Sequence, residues 1–256
     1  MRQFILPPSY GGEGELTIEG KESRYLTRVL RLKVGDQIIG RLGDGSTRTM
    51  TITSLSKERC TLVSVPSTHS VASEELPAYN GPFANITLMQ CVLKGRKEDD
   101  LVRQATEIGV SSIVLVQSRH SIPDAKEKGQ SRTVRLKAKV REALQQSGSP
   151  IPTHLEETII ALSDLPAWWA GRGTALFFHQ SDRGQQHTLS SIARTLSIEE
   201  PVGVLIGPEG GFSDEECDLL IESGFLPVLL KTNILRSETA AIYALSALQT
   251  LLNDRI

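Results

Sequence analysis

From residue 85 onward, short unbroken apolar runs alternate with stretches in which apolar residues recur every three or four positions. NITLMQCVL (85–93), SIVLV (112–116), TALFF (174–178), VGVLI (202–206) and LPVLL (226–230) have the length and β-rich composition of buried strands. Between them, 98–108 reads as a helix with Leu101, Ala105 and Ile108 on one face and Gly109 as its C-cap. The stretch 131–146 turns Leu136, Val140, Ala143 and Leu144 inward, and helices over 213–224 and 238–252 complete the series. Strands that alternate with helices predict an α/β domain whose mainly parallel sheet is covered on both faces. A ligand is then expected at the carboxyl ends of the strands.

The first third of the chain has another rhythm. DQIIGRLGDGSTRTMTITSLSKERCTLVSV holds short β-rich runs punctuated by Gly43-Asp44-Gly45 and Lys57-Glu58-Arg59, which predicts a small β-barrel built from hairpins. Just upstream, SRYLTRVLRLKVGD has helical period, with Leu26, Val29 and Leu30 as its apolar side. Arg24, Arg28 and Arg31 then share one face of one helix, which is either a solvated face or the basic surface of a small RNA-binding module. Residues 64–85 are rich in Ser, Pro, Ala and Glu without a sustained period, as in a linker. The expected organisation is a β-barrel domain over 1–72, a linker over 73–84 and an α/β domain over 85–256.

Composition narrows the class. With 39% apolar and 23% charged residues in 256, the chain reads as an ordinary soluble globular protein. No apolar run approaches the roughly 18 residues needed to span a bilayer, and MRQFILPPSYGG is too weak for a signal peptide, so a cytoplasmic protein is expected. The net charge of −2 divides unevenly. Residues 1–72 carry ten Lys/Arg against seven Asp/Glu, and the rest carry 18 against 23. A second basic stripe is expected where Lys128, Arg132, Arg135 and Lys139 recur at helical spacing. Cys60, Cys91 and Cys217 are an odd number, far apart and without a CxxC pair, so each is expected as a small buried apolar residue. The five histidines show no ligand spacing, and no metal is expected.

Two loops carry candidate chemistry. In VGVLIGPEGGFSDEE a strand enters Gly207-Pro208-Glu209-Gly210-Gly211, and Ser213 with Glu216 forms a capping box for the next helix. A tight strand-to-helix turn explains the glycines but not Glu209. There is no GK[ST] and no GxGxxG, and a carboxylate in the cradle would repel a polyphosphate. The loop suits a ligand with cationic or hydrogen-bond-donating groups. In LLKTNILRSETAAIYAL, Ser237 is expected as N-cap of the last helix, with Glu238 at the positive end of its dipole. Arg236 gains nothing from that end. Either it pairs with Glu238 or Glu209, or it faces an anionic or developing-anionic group.

LIGPEGGFSDEE followed by ILRSETAAIYALSALQ resembles the 16S ribosomal RNA uridine-N3 methyltransferases, the RsmE family of the SPOUT methyltransferases. The likeness spans the chain. RVLRLKVGD resembles the family's PUA-like RNA-binding module, KGRKEDDLVRQATEIGV and SRHS its central signature, and QQSG (145–148) a further one. The resemblance implies a C-terminal α/β domain with a trefoil knot, S-adenosylmethionine (AdoMet) bound in that knot, and a homodimer. The cofactor positions it implies are Leu205, Ile206, Gly207, Pro208, Gly210, Gly211, Leu230, Ile234, Leu235 and Thr239. The last helix, apolar at Ala241, Ile242, Leu245, Leu248 and Leu251, suits burial in the knot and dimer interface. The chain departs from the family where Tyr25 replaces a usual histidine, Ser149 an arginine, Lys231 a glycine and Asn233 a basic residue.

The implied reaction is methylation of N3 of a uridine in 16S rRNA of the small ribosomal subunit. Arg236 is expected to stabilise the developing uridinate, with Glu238 or Glu209 orienting it or taking part in proton removal. Arg24, Arg28, Arg31, Arg132, Arg135 and Lys139 are the expected phosphate contacts. The alternatives are ribose 2′-O-methylation by a related SPOUT enzyme and a ribosome-assembly factor with weakened catalysis.

Overall fold

Two sheets carry the chain. The computed structural model describes residues 3–43, 46–56, 58–65, 83–121, 129–180 and 186–255. Residues 73–82 of the expected linker, the turn residues Asp44, Gly45 and Lys57, and Lys128 lie outside the described residues. The chain divides into two compact units, residues 1–80 with 144–150 and residues 81–143 with 151–256.

In the first unit, strands β1 (Gln3–Ile5), β2 (Glu15–Glu19), β3 (Gln37–Arg41), β4 (Thr47–Leu55) and β5 (Arg59–Ser64) form one sheet in the order β1-β3-β4-β5-β2. Only the β1–β3 pairing is parallel. The sheet curls around Phe4, Leu6, Leu26, Met50, Ile52 and Leu62, all essentially inaccessible to solvent. Burial of each such side chain contributes about 1.5–3 kcal/mol. This is the PUA-like unit.

The expected single helix over the first basic stripe is a correction. Helix α1 covers only Gly20–Arg24, and Tyr25–Val29 forms a wider π-helical turn in which the Leu30 N–H donates to the Tyr25 carbonyl at 3.0 Å. The wider turn breaks the 3.6-residue period. Leu26 and Leu30 stay in the core, but Val29 is rotated out to 59% exposure. Arg31 adopts φ 55° beyond the turn, so the three arginines do not share one helix face.

The second unit is built of β6 (Ile86–Cys91), α2 (Lys97–Ile108), β7 (Ser112–Gln117), α3 (Gly129–Ser147), β8 (His154–Leu155), β9 (Ile160–Ala161), α4 (Leu165–Trp169), β10 (Thr174–Phe178), β11 (His187–Thr188), α5 (Leu189–Thr195), β12 (Val202–Ile206), α6 (Asp214–Glu222), β13 (Leu226–Leu229) and α7 (Ser237–Asn253). The last residues of α3 count with the first unit, where Gln146 donates to the Tyr25 hydroxyl at 3.0 Å. Every pairing in the second sheet is parallel, in the order β11-β13-β10-β12-β6-β7-β8 with β9 also on β7. The central strand β6 is buried along its whole length, as a strand covered on both faces must be. One side of the sheet packs Met89, Phe177, Leu205, Phe212, Cys217 and Phe225 into a single cluster.

Helix ends follow the local chemistry. Gly109 closes α2 in the left-handed region at φ 97°. Ser213 and Glu216 form the expected capping box of α6, each side chain accepting from the other's backbone N–H, at 3.3 and 2.9 Å. The start of α7 is a correction, because Arg236 occupies the N-cap position without a side-chain cap and Ser237 is the first helical residue. Ser237 has a buried partner that competes with capping. Its Oγ donates to the Gly207 carbonyl and accepts from Gln90 Nε2 at 2.9 Å.

Candidate active site

The Gln90–Ser237–Gly207 chain of hydrogen bonds ties the core strand β6, the glycine-rich loop after β12 and the start of α7 together. Beside that tie opens a cavity of about 410 Å³, within the range of small-ligand sites. Phe178 ends β10, Ile206 ends β12 and Leu229 ends β13, and all three line it. The site therefore lies at the carboxyl ends of parallel strands. The loops 207–212 and 230–236 form the rest of the wall.

The glycine-rich loop is shaped by close approach. A Cβ on Gly210 would sit 3.0 Å from His120 Cβ, and Gly211 holds φ +68°. His120 Nδ1 lies 3.1 Å from the Gly211 carbonyl, which accepts when that nitrogen is protonated. Next to it the Arg119 N–H donates to Glu216 Oε1 at 2.7 Å, so the SRHS segment buttresses the loop.

At the rim, Lys97 from the first turn of α2 reaches two carboxylates. Its Nζ is 3.0 Å from Glu209 Oε1 and 3.6 Å from Glu238 Oε1. The side chains of Lys97, Glu209 and Glu238 are 36%, 41% and 25% exposed. Burial pushes the Glu209 carboxyl up, but its own backbone N–H and the Lys97 ammonium outweigh burial and hold it below the ordinary 4.5. The hydrogen bond to Glu209 in turn holds Lys97 above its ordinary 10.5. Glu238 Oε2 is buried without a hydrogen-bond partner among the described residues. Arg236 lines the cavity, and its guanidinium makes no ion pair or hydrogen bond among the described residues.

Of the expected cofactor positions, Ile206, Gly207, Pro208, Gly210, Gly211, Leu230, Ile234 and Leu235 line this cavity. Leu205 and Thr239 do not. Leu205 points into the core, as alternation along a strand requires, and Thr239 is exposed on α7. Lys231 is exposed and lies off the lining, so its side chain leaves the cavity open. Of the expected catalytic residues, Arg236 and Glu209 line the cavity and Glu238 joins them through Lys97. Lys97 lies inside the KGRKEDDLVRQATEIGV signature but is not among the residues expected to act. Its signal was available, because a cation at a helix N-terminus gains nothing from the dipole, the same oddity that singled out Arg236.

The second basic stripe is a correction. Arg132 Nε is 2.9 Å from Glu98 Oε2, with the two side chains 10% and 0% exposed. Arg135 pairs with Asp99, and Lys139 lies 3.0 Å from Glu142. Each of these cations has an acid of α2 or α3 beside it and Arg132 is buried, so the three do not form an evenly solvated stripe. Arg24, Arg28 and Arg31 remain exposed in the first unit, with Arg24 3.5 Å from Glu58. Cys60, Cys91 and Cys217 are all buried, and burial pushes the Cys60 and Cys91 thiols up. Among the described residues no cluster suits a metal ion, and no helix is long and apolar enough to cross a membrane.

Residues 18–63 match the family described as an RNA methyltransferase PUA domain, and residues 80–249 match the RNA methyltransferase domain. Fold and site thus define an RNA methyltransferase with a PUA-like domain. The chain is 37% identical over 168 residues to the ribosomal RNA small subunit methyltransferase E of Aquifex aeolicus, covering 65% of this chain and 69% of that one. It is 28% identical over 256 residues to ribosomal RNA small subunit methyltransferase E 2 of Borreliella burgdorferi, covering 99% of each. The structure of the Neisseria gonorrhoeae ribosomal RNA small subunit methyltransferase E bound to S-adenosyl methionine superposes with a TM-score of 0.80, at 28% identity and 98% coverage of both chains. The chain belongs to the ribosomal RNA small subunit methyltransferase E (RsmE) family.

Proposed function

We propose that this protein methylates N3 of a uridine in 16S rRNA of the small ribosomal subunit, with AdoMet as methyl donor. The observation that carries the reading is the cavity at the carboxyl ends of β10, β12 and β13, with carboxylate Glu209 in its wall and an unengaged Arg236 at its mouth. The donor set fits AdoMet. Apolar strand ends, backbone of two loops and a carboxylate suit a sulfonium ligand with an adenine edge, and a phosphate chain would meet Glu209. Gly207, Gly210, Leu230 and Leu235 are the positions that would hold it. When bound, AdoMet supplies an electrophilic methyl group.

The chain's own residues do the rest. N3 of uracil carries a weakly acidic proton, and its removal places negative charge on O2 and O4. Arg236, whose guanidinium pairs with none of the described residues, faces that developing charge. Glu209, whose carboxyl its own backbone N–H and Lys97 hold below the ordinary 4.5, orients the reacting groups. Glu238, with one oxygen unpartnered, accepts the N3 proton. The N3 edge is the Watson–Crick edge, so the target base must be unpaired or drawn out of its pair. Arg24, Arg28 and Arg31 in the PUA-like unit contact RNA phosphates. The trefoil knot and a homodimer belong to the same reading. In support of the homodimer, Tyr243 is 47% exposed on the last helix, the element expected at that interface.

The test is methyl transfer from labelled AdoMet to small subunits isolated from cells that lack this modification, followed by nucleoside mass spectrometry. Label in 3-methyluridine is the expected result. Label in a 2′-O-methyl nucleoside would keep the fold and overturn the chemistry, and absence of label despite subunit binding would favour an assembly factor.

A further inference from the structure

At the rim of the cavity stand the carboxylates Glu209 and Glu238 and the cations Lys97 and Arg236, with Lys94 near enough for its charge to act on Glu209, and the pairing among them is uneven. Lys97 takes both Glu209, at 3.0 Å, and Glu238, at 3.6 Å. Arg236 takes neither, although it stands at the N-cap of the helix whose second residue is Glu238. It is also close enough for its charge to act on Lys97. Left to themselves, two carboxylates beside a guanidinium form the planar, forked pairing that arginine favours. The structure shows the other arrangement.

Resting on the reading that Arg236 meets the developing uridinate, we propose that Lys97 is a positioning residue: it occupies Glu209 and Glu238 and so keeps the Arg236 guanidinium available to the substrate. No residue of the Lys97 segment needs to touch the reacting atoms for this. Lys97 does not line the cavity, so its effect on catalysis passes through the carboxylates it holds. The placement has a structural source as well. Residue 97 opens α2, and its neighbours Glu98 and Asp99 are anchored to Arg132 and Arg135, which fixes the direction from which Lys97 reaches the rim.

The experiment is a double-mutant cycle with Lys97→Met and Arg236→Ala, reading kcat on small subunits and AdoMet affinity by calorimetry. Lys97→Met is expected to lower kcat about tenfold, the scale of weakening one charge-stabilising group, while the AdoMet Kd stays within about twofold. Lys97→Arg should restore most of kcat, because charge and reach are kept. In the Arg236→Ala background, Lys97→Met should cost much less than in the wild type, the remainder acting through Glu209 and Glu238 themselves. A Lys97→Met loss of the same size with and without Arg236 would overturn the proposal, as would unchanged kcat in Lys97→Met. An equal loss in AdoMet affinity would make Lys97 a cofactor-site residue and overturn it too. If Arg236→Ala alone kept full activity, the parent reading would fall along with this one. Normal dependence on Arg236 with multiplicative costs defeats the positioning role alone.

Discussion

Consecutive residues in the first turn of α2 serve two ion clusters of opposite character. Glu98 and Asp99 face α3, where Arg132 meets the buried Glu98 and Arg135 pairs with a partly exposed Asp99. Lys97, one residue earlier, faces the cavity rim and shares itself between Glu209 and Glu238 in partial contact with solvent. The α3 cluster matches each acid with an arginine. The rim cluster leaves Arg236 over. A matched buried set has one arrangement and locks two helices together. An unmatched, half-exposed set can rearrange when a new anion arrives, which is the property a catalytic rim needs.

The difference can be broken at either end. The largest expected effect is on stability, at the α3 cluster. Arg132→Met leaves the fully buried Glu98 carboxylate without its nearest cation, a loss of about 3–5 kcal/mol. Urea unfolding of the variant should show the midpoint falling. Adding Glu98→Leu should recover most of the loss, because two apolar side chains replace a buried ion pair at little net cost. If Arg132→Met lost less than about 1 kcal/mol, the cluster would behave as a surface pair and the contrast with the rim would fail.

Next in size is Arg236→Ala, with kcat expected to fall about 100-fold and AdoMet affinity and the unfolding midpoint nearly unchanged. Single-turnover methyl transfer with calorimetric AdoMet binding checks both. Equal losses in turnover and affinity would assign Arg236 to the cofactor instead of the substrate.

The rim pair also makes a prediction about pH. Glu209 has its pKa lowered by folding, so its contribution is present above the ordinary 4.5 and is lost as pH falls through the lowered value. Lys97 has its pKa raised, so its contribution is present below the ordinary 10.5 and is lost as pH rises through the raised value. The pair stays charged between those limits. The Tm difference between wild type and Glu209→Gln should therefore be flat from about pH 5 to pH 10. A step in that difference near neutrality would show that Glu209 titrates there, and would return it to contention as the proton acceptor.

Much of this architecture could be read from residue pattern. TALFF and VGVLI form strands with the bounds their apolar runs suggest, and Ser213 with Glu216 caps α6 as their spacing dictates. The two-residue strands β8, β9 and β11 are too short for any period to register. The π-helical turn at Tyr25–Val29 leaves no signal for a different reason, since Leu26, Val29 and Leu30 have the spacing of an ordinary α-helical face. The site splits the same way. Glu209 and Arg236 are conspicuous because each has the wrong charge for its local backbone. Lys97 has the same defect, but its partners lie 112 and 141 positions away along the chain, and only the fold brings them to it.

The smallest expected effect sharpens the contrast between arginines that are matched and arginines that are not. Arg28 is exposed in the PUA-like unit with no described partner, whereas Arg132 is enclosed by Glu98. A phosphate contact releases counterions when it forms, so removing one weakens binding modestly and flattens its salt dependence. Arg28→Ala should weaken small-subunit binding by about two- to fivefold and reduce the slope of log K against log salt by roughly one. Lys139→Ala, on the α3 face where an acid stands 3.0 Å away, should leave that slope unchanged. Filter binding across a salt series distinguishes the two. Were Lys139→Ala to flatten the slope and Arg28→Ala not, the RNA would track along α3, and the pairing with Glu142 would have to open on binding. Exposure in the PUA-like unit, and not basic spacing along the chain, is what should mark a phosphate contact here.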